Sequence, residues 1–183
     1  ASYRVGVLGN LFARIGSGAM PFLLPLLMQL VMGFSPAQAG MLMLPVALAS
    51  MATKRLVTRI ITRWGYRRVL VTNTLLLGVM IAGFALMTPE QPLLLRIVQM
   101  ALFGAVNSMQ FTAMNAVTLK DLAPARAASG NSLFSMVQML GMSLGVTCAA
   151  ALLHAFTAWL QTGAGADALP AFRAALALIG VMT

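Results

Sequence analysis

Arginine, glutamine and proline side chains recur along one apolar stretch near the start of this sequence, and they could bind a small polar molecule. Arg14, Gly18, Pro21, Pro25 and Gln29 lie within about 60° of one another at 100° per residue. In a membrane-spanning helix, Arg14 would lie near the middle of the bilayer, where burial of its charge costs at least ~2.5 kcal/mol. Arg14 therefore binds a substrate or helps to couple substrate binding to an energy source, or it bonds to a backbone carbonyl or an acidic side chain of another helix. Pro21 and Pro25 each remove a backbone hydrogen bond, so we expect this helix to bend or break.

A second polar stripe follows one face of a later apolar stretch. Such side chains face a water-filled cavity or hydrogen-bond to a neighbouring helix, and the pattern leaves both interpretations open. The second stripe lies within about 100° on a helical wheel and consists of Arg96, Gln99, Phe103, Asn107, Gln110 and Met114.

A further stretch carries Gln138 on one side and, on another, Gly141 and Gly145. The spacing of these two glycines favours close helix packing.

Half of the basic residues occur in one short segment. Six of the 12 Lys and Arg side chains lie between positions 54 and 68, and those at 55, 59, 63 and 67 recur every four residues. This spacing places them on one slowly drifting face of a helix. Such a cluster sets membrane topology and contacts anionic lipid, or it acts as a conformational latch on the cytoplasmic side.

The composition requires a membrane around most of the chain. Its 183 residues are 60% apolar and 8% charged, with a mean hydropathy of +0.91, whereas a soluble domain averages about 45–50% apolar and roughly 25% charged. The formal charge of +9 is divided among long uncharged stretches. Because a nucleic-acid-binding protein needs a solvated basic face on a soluble body, we predict membrane lipid and no nucleic acid as a partner.

The sequence also predicts that this protein is not an enzyme. It contains one Cys, one His and three acidic residues, and none of the acids lies within a predicted span. Neither a metal site nor paired carboxylates nor a Ser–His arrangement can be assembled from this set. We therefore expect no catalytic residue, no metal and no cofactor.

The residues described above lie on six apolar segments, so the predicted fold class is an all-α integral membrane bundle. Capping-box spacing with proline at the first helical position marks two helix starts, Ser35 with Gln38 and Thr88 with Gln91. The predicted spans are about 5–32, 36–53, 69–87, 93–119, 131–156 and 171–183, the last truncated, with cytoplasmic loops at 54–68 and 120–130.

Basic residues predict the orientation of these spans. Arg4, Lys120 and Arg126 lie on the same side as the 54–68 segment, whereas the turn before the second span has no basic residue. By the positive-inside rule, the N-terminus and both loops are cytoplasmic.

The residues suggest a family. The stretch from Phe12 to Gln29, F-A-R-I-G-S-G-A-M-P-F-L-L-P-L-L-M-Q, and the G-F-S-P-A-Q-A-G that begins at Gly33 resemble the C-terminal half of the major facilitator superfamily. Within that superfamily they look like the fourteen-span drug:proton antiporters, and most closely the MdtD-type multidrug permeases of bacterial inner membranes. The resemblance covers nearly the whole chain.

The cytoplasmic signature of this family, G-x-x-x-D-R-x-G-R-R, appears in weakened form. Thr62 stands at its acidic position and Thr58 at its first glycine. The matching positions are Arg63, Gly65, Arg67 and Arg68.

The resemblance implies a six-helix bundle whose first, second, fourth and fifth helices line a cavity. It implies a transporter of the bacterial inner membrane that exports small organic compounds or drugs by alternating access, with the proton gradient as energy source. Its partners would be a small-molecule substrate and the missing N-terminal half of the same chain, which would supply any proton-carrying acid and bring the total to twelve or fourteen spans. An exporter of an anionic metabolite such as an organic acid, and a non-transporting structural subunit, are the alternatives.

Overall fold

In the computed structural model, every secondary-structure element of the described residues is a helix. The structure describes the backbone of residues 2–88, 90–120, 127–160 and 168–183, and the side chains of 14–54, 56–88, 90–117, 129–160 and 168–183. The helices in these ranges are α1 (Ser2–Leu30), α2 (Pro36–Trp64), α3 (Tyr66–Phe84), α4 (Leu93–Lys120), α5 (Ala127–Trp159) and α6 (Leu169–Met182).

Four stretches of the described residues are long and apolar enough to cross a bilayer. They match four of the predicted spans to within a few residues at most ends, and α6 is a shorter apolar helix. Part of the predicted 120–130 loop lies outside the described residues, while residues 127–130 already belong to α5. The four stretches are Pro36–Lys54, Tyr66–Phe84, Leu93–Val117 and Ser129–Trp159.

The start of α2 confirms the predicted capping box. The Ser35 side chain accepts a hydrogen bond from the Gln38 amide at 3.3 Å, and the Ser35 amide donates to Gln38 Oε1 at 2.9 Å. Pro36 occupies the first helical turn, where its missing N–H costs nothing.

The second predicted capping box is wrong. The helix that follows it begins at Leu93, and Gln91 Oε1 is buried without a hydrogen-bond partner among the described residues. The Gln91 amide instead donates to the Thr88 carbonyl at 3.2 Å, which closes a turn. Pro92 explains the shift, because its carbonyl accepts the first helical hydrogen bonds, from Leu95 and Arg96.

The predicted 54–68 loop is a second correction. Residues up to Trp64 continue α2, and the connection to α3 consists of Gly65 alone. Gly65 has φ 78° and ψ 151°, a conformation open essentially to glycine only. The repeat of basic residues every four positions is a helical pattern, so the charges mark the end of a helix and not a loop.

α1 remains one helix through Pro21 and Pro25. Of the two predicted outcomes, a bend or a break, the break is wrong. A single proline removes one intrahelical bond, and neighbouring helices in a bundle can hold the helix together around it. The described part of α1 contacts every other helix of the fold.

Helix pairs approach closely where glycine meets backbone. α2 packs chiefly on α4, α1 on α5, and α3 on α6 and α4. A Cβ atom added at Gly18 would lie 2.8 Å from Met142 Cα, and one added at Gly145 would collide with the Ile15 carbonyl. Gly104 meets the Val46 carbonyl in the same way. The predicted close packing at Gly145 is therefore confirmed.

The core lies around α1, between α3, α4 and α6. Phe84 and Phe103 meet edge to face, with ring centroids 5.5 Å apart and an interplanar angle of 77°, the geometry that aromatic pairs prefer. Large side chains of α2, α3, α4 and α5 on the opposite faces are exposed. The fully buried large side chains are Phe84, Phe134, Phe172, Met20, Leu23, Leu24, Leu27, Met28, Leu77, Ile81, Met87 and Met100.

Candidate functional site

A cavity of about 350 Å³ opens between α1, α2 and α4. Four of the residues predicted to line a substrate path surround it, namely Pro21, Pro25, Phe103 and Asn107. The other lining residues are Ser17, Met20, Leu24, Met43, Val46 and Ala47. An apolar pocket with a few polar groups is the usual form of a small-molecule site.

Proline removes a backbone hydrogen bond from the helix beside this cavity. Pro25 lacks an N–H, so the carbonyl of Pro21 has no intrahelical donor four residues later. Pro21 is exposed and lines the cavity. Ser17 and Asn107 are the polar residues of an otherwise apolar lining.

Arg14 lies one helical turn beyond the cavity. Its Cζ atom is 4.2 Å from the centre of the Phe111 ring, and Phe111 lies one turn after Asn107 on α4. The guanidinium is half-buried, and its Nη2 atom is buried with no hydrogen-bond partner among the described residues. The Phe111 ring stabilises the Arg14 guanidinium by a cation–π contact, but it has no oxygen or nitrogen atom that could accept a hydrogen bond from Nη2.

Three other predicted cavity residues lie elsewhere. Gly18 packs against Met142 at the crossing of α1 and α5. Gln99 faces α3, since a Cβ atom added at Gly83 would lie 3.8 Å from its Nε2. Gln29 is half-buried near the end of α1 and does not line this cavity.

Gln110 joins α3 to α4 rather than facing the cavity. Its Nε2 donates to Thr74 Oγ1 at 2.7 Å, and its Oε1 accepts from Asn73 Nδ2 at 2.9 Å. Asn73 also donates to the Val106 carbonyl at 3.0 Å. Gln110 and Asn73 are both buried, so their bonds are not replaced by water.

Gln138 likewise bridges two helices. Its Nε2 donates to Asn115 Oδ1 of α4 at 2.7 Å. For Gln110 and Gln138 the structure therefore shows interhelical hydrogen bonding, which was one of the two interpretations of the polar stripes. A stripe about 100° wide is broad enough to face a cavity on one edge and a neighbouring helix on the other.

The cytoplasmic signature residues meet in a separate cleft. Arg63, Arg67 and Arg68 line a space of about 720 Å³ at the junction of α2 and α3, together with Trp64, Val71 and Thr72. Gly65 forms the corner itself.

Sequence reasoning missed the apolar half of the first cavity. Met20, Leu24, Met43, Val46 and Ala47 line it, but among so many apolar residues only a polar side chain stands out. Pro45 in the middle of α2 was the available signal, since it marks the part of α2 that lies against the cavity.

The described side chains offer no group of three His, Cys, Asp or Glu residues that could hold a metal ion. Cys148 is half-buried, and His154 is exposed on α5. What the cavity offers a ligand is apolar surface, the amide of Asn107 and a nearby cation.

Comparison with known proteins places this arrangement in a family. The model of the Major Facilitator Superfamily matches residues 4–146. A protein of Pectobacterium atrosepticum that carries the name multidrug resistance protein MdtD is 49% identical over 156 residues, which are 85% of this chain and 34% of that protein.

Two further relatives carry the same name. The protein of Serratia proteamaculans is 48% identical over 155 residues, covering 85% of this chain and 32% of its own length. That of Cronobacter sakazakii is 46% identical over 163 residues, covering 85% of this chain and 33% of its own. The chain thus spans about a third of the length of the curated relatives it matches, and the predicted likeness to MdtD-type permeases is confirmed.

Proposed function

This chain belongs to the Major Facilitator Superfamily, and from that membership we propose that it forms part of a membrane transporter that exports small organic compounds or drugs. The observation that carries the proposal is the cavity between α1, α2 and α4. Its apolar wall suits the hydrophobic body of such compounds, and the amide of Asn107 suits a polar group.

The proposed mechanism is alternating access in the bacterial inner membrane. The helices described here rock as one body against the rest of the full-length protein, so that the cavity opens to each side in turn. Proton entry drives the cycle. No residue of this chain is assigned to proton transfer, and the rest of the same polypeptide is the proposed partner for that step.

Substitutions in the cavity wall test the proposal. In the full-length protein, Asn107→Ala removes a hydrogen-bonding group from the cavity, and Phe103→Leu removes its aromatic wall while keeping most of the apolar volume that packs on Phe84. Loss of one net contact costs about 1–1.5 kcal/mol, so we expect export of a fluorescent dye from energised cells to fall roughly tenfold. An uncoupler should abolish the export that remains.

The matched control is Leu94→Ala, because Leu94 is 72% exposed on the same helix and does not line the cavity. It should transport at the wild-type rate. Undiminished export of every tested compound by both cavity variants, at equal expression, would contradict the proposal. Export that persists in the presence of the uncoupler would contradict proton drive alone.

The environment of Arg14 favours a second candidate, export of an anionic metabolite such as an organic acid. The buried Nη2 atom has no partner among the described residues, and the guanidinium lies one turn from the cavity. A carboxylate bound at the edge of the cavity would complete the hydrogen bonding of this group.

A further inference from the structure

Two cavities of different character meet at the corner between α2 and α3. The first is the cleft of about 720 Å³ that contains Arg63, Arg67 and Arg68. The second is a groove of about 270 Å³ between α2, α3 and α4. Trp64 and Thr72 line both, so the cleft and the groove adjoin each other.

The cleft is cationic, and the acidic side chain that the structure describes does not neutralise its charge. Arg63, Arg67 and Arg68 are exposed, and Glu90, the acidic residue whose side chain is described, lies past the other end of α3. Arg63 stabilises the C-terminal end of the α2 dipole, but Arg67 and Arg68 are in the first turn of α3, where a positive charge opposes the dipole. Interaction with the helix dipole therefore does not explain why arginine occurs at positions 67 and 68.

The groove is apolar. The amide of Asn73, which borders it, is already bonded to Val106 and Gln110. The remaining lining residues are Ile60, Trp64, Val69, Thr72, Leu76, Ala105, Val106 and Met109.

The position of the double cavity fits the membrane interface. The apolar window of α3 begins at Tyr66, so Arg67 and Arg68 lie in the first turn of that window. Trp64 is 59% exposed at the same level, and tryptophan and arginine both favour the headgroup region.

We propose that this double cavity binds one anionic phospholipid of the bilayer, with its phosphate on Arg63, Arg67 and Arg68 and an acyl chain in the groove. A soluble anion would use the cleft but not the groove, and a zwitterionic lipid, whose ammonium group offsets the charge of its own phosphate, would gain far less from the arginines. Basic pockets between membrane helices bind anionic headgroups in the same way. This site lies apart from the cavity between α1, α2 and α4 and does not depend on what the protein transports.

Native mass spectrometry of the full-length protein in detergent tests the proposal, with dioleoyl phosphatidylglycerol as the probe and dioleoyl phosphatidylcholine as the neutral comparison. One arginine near an anionic lipid contributes about fivefold in affinity. We therefore expect the triple variant R63Q/R67Q/R68Q to bind phosphatidylglycerol more weakly by on the order of a hundredfold, with phosphatidylcholine binding weakened much less.

Three further variants separate a built site from diffuse attraction. Arg59→Gln removes a charge from the same segment without touching the cleft, so it should leave binding unchanged. R63K/R67K/R68K keeps the topology-setting charge and should retain most of the binding. Ala105→Phe fills the groove and should weaken phosphatidylglycerol binding while leaving the arginines intact.

Three results would overturn the proposal. Wild-type phosphatidylglycerol binding by the triple glutamine variant would show that the arginines do not hold a headgroup. An equal loss with Arg59→Gln would show attraction by overall charge. Displacement of the lipid by glycerol 3-phosphate at matching concentrations would show that the cleft binds free phosphate and that the groove has no part in it.

Discussion

Two arginines inside the bundle have different surroundings, although each has one buried nitrogen, Nη2 of Arg14 and Nε of Arg96, without an acceptor among the described residues. Arg96 is buried, its Nη2 donates to the Thr88 carbonyl at 3.2 Å, and its Cζ lies 5.5 Å from the Phe34 ring. It ties the α3–α4 turn to the α1–α2 turn. Arg14 has a ring contact as well, but its buried Nη2 has no acceptor among the described residues. A buried donor without a partner costs about 1–3 kcal/mol, and a bound anion would remove that cost.

Substitution of Arg14 in the full-length protein distinguishes a ligand-binding role from a structural one. We expect Arg14→Gln to lower export of a carboxylate substrate at least tenfold, since a hydrogen bond to a charged group contributes about 1.5–3 kcal/mol. Neutral and cationic dyes should be affected less. Arg14→Lys, which keeps the charge, should retain part of the carboxylate export. If Arg14→Gln exports every substrate at the wild-type rate and equal expression, Arg14 has no role in transport.

The close contact between α2 and α4 positions residues that line the cavity between α1, α2 and α4. Gly104 brings α4 onto α2, and two serine bonds cross the same contact: Ser50 Oγ donates to the Gly104 carbonyl at 2.8 Å and Ser108 Oγ donates to the Ser50 carbonyl at 2.9 Å. Phe103 and Asn107 flank this contact on α4 and line the cavity. The width of the cavity therefore depends on the close approach at Gly104.

A methyl group at Gly104 tests this dependence. Its Cβ would collide with the Val46 carbonyl and lie 2.8 Å from Val46 Cα, and overpacking of this kind costs typically about 1–3 kcal/mol. We expect Gly104→Ala to lower the Tm of the full-length protein and to reduce dye export. Gly40→Ala is the control, because a Cβ there meets nothing within 4 Å. Equal Tm values for both variants would show that the α2–α4 contact tolerates separation.

At the scale of the whole molecule, charge and helix order predict which end faces the cytoplasm. The Arg-rich corner at Gly65 and the turn that contains Glu90 lie at opposite ends of α3. Because the positive-inside rule counts Lys and Arg near the ends of the spans, the proposed orientation places Arg59 inside the cell and Glu90 outside.

Labelling in intact cells checks this orientation. In a cysteine-free full-length background, including Cys148→Ser, we expect Glu90→Cys to react with a membrane-impermeant maleimide, whereas Arg59→Cys should react only after the cells are opened. Both side chains are exposed, so burial does not confuse the comparison. The reverse pattern would invert the proposed orientation.

The sequence predicts helix number and most helix positions because a bilayer demands apolar segments of a fixed length. Periodicity places Pro21 and Pro25 on one face of the first helix and Phe103 and Asn107 on one face of the fourth, and the family resemblance implies that both helices line a cavity. Periodicity does not say which neighbour such a face meets. Gln110 therefore lies against α3 and not in the cavity.

The corner at Gly65 constrains how the protein is assembled in the membrane. One residue spans at most ~3.6 Å, so the end of α2 and the start of α3 stay together at every moment after synthesis. α2 and α3 therefore form a helical hairpin whose closed end cannot open, and an insertion at this corner would let the two helix ends separate.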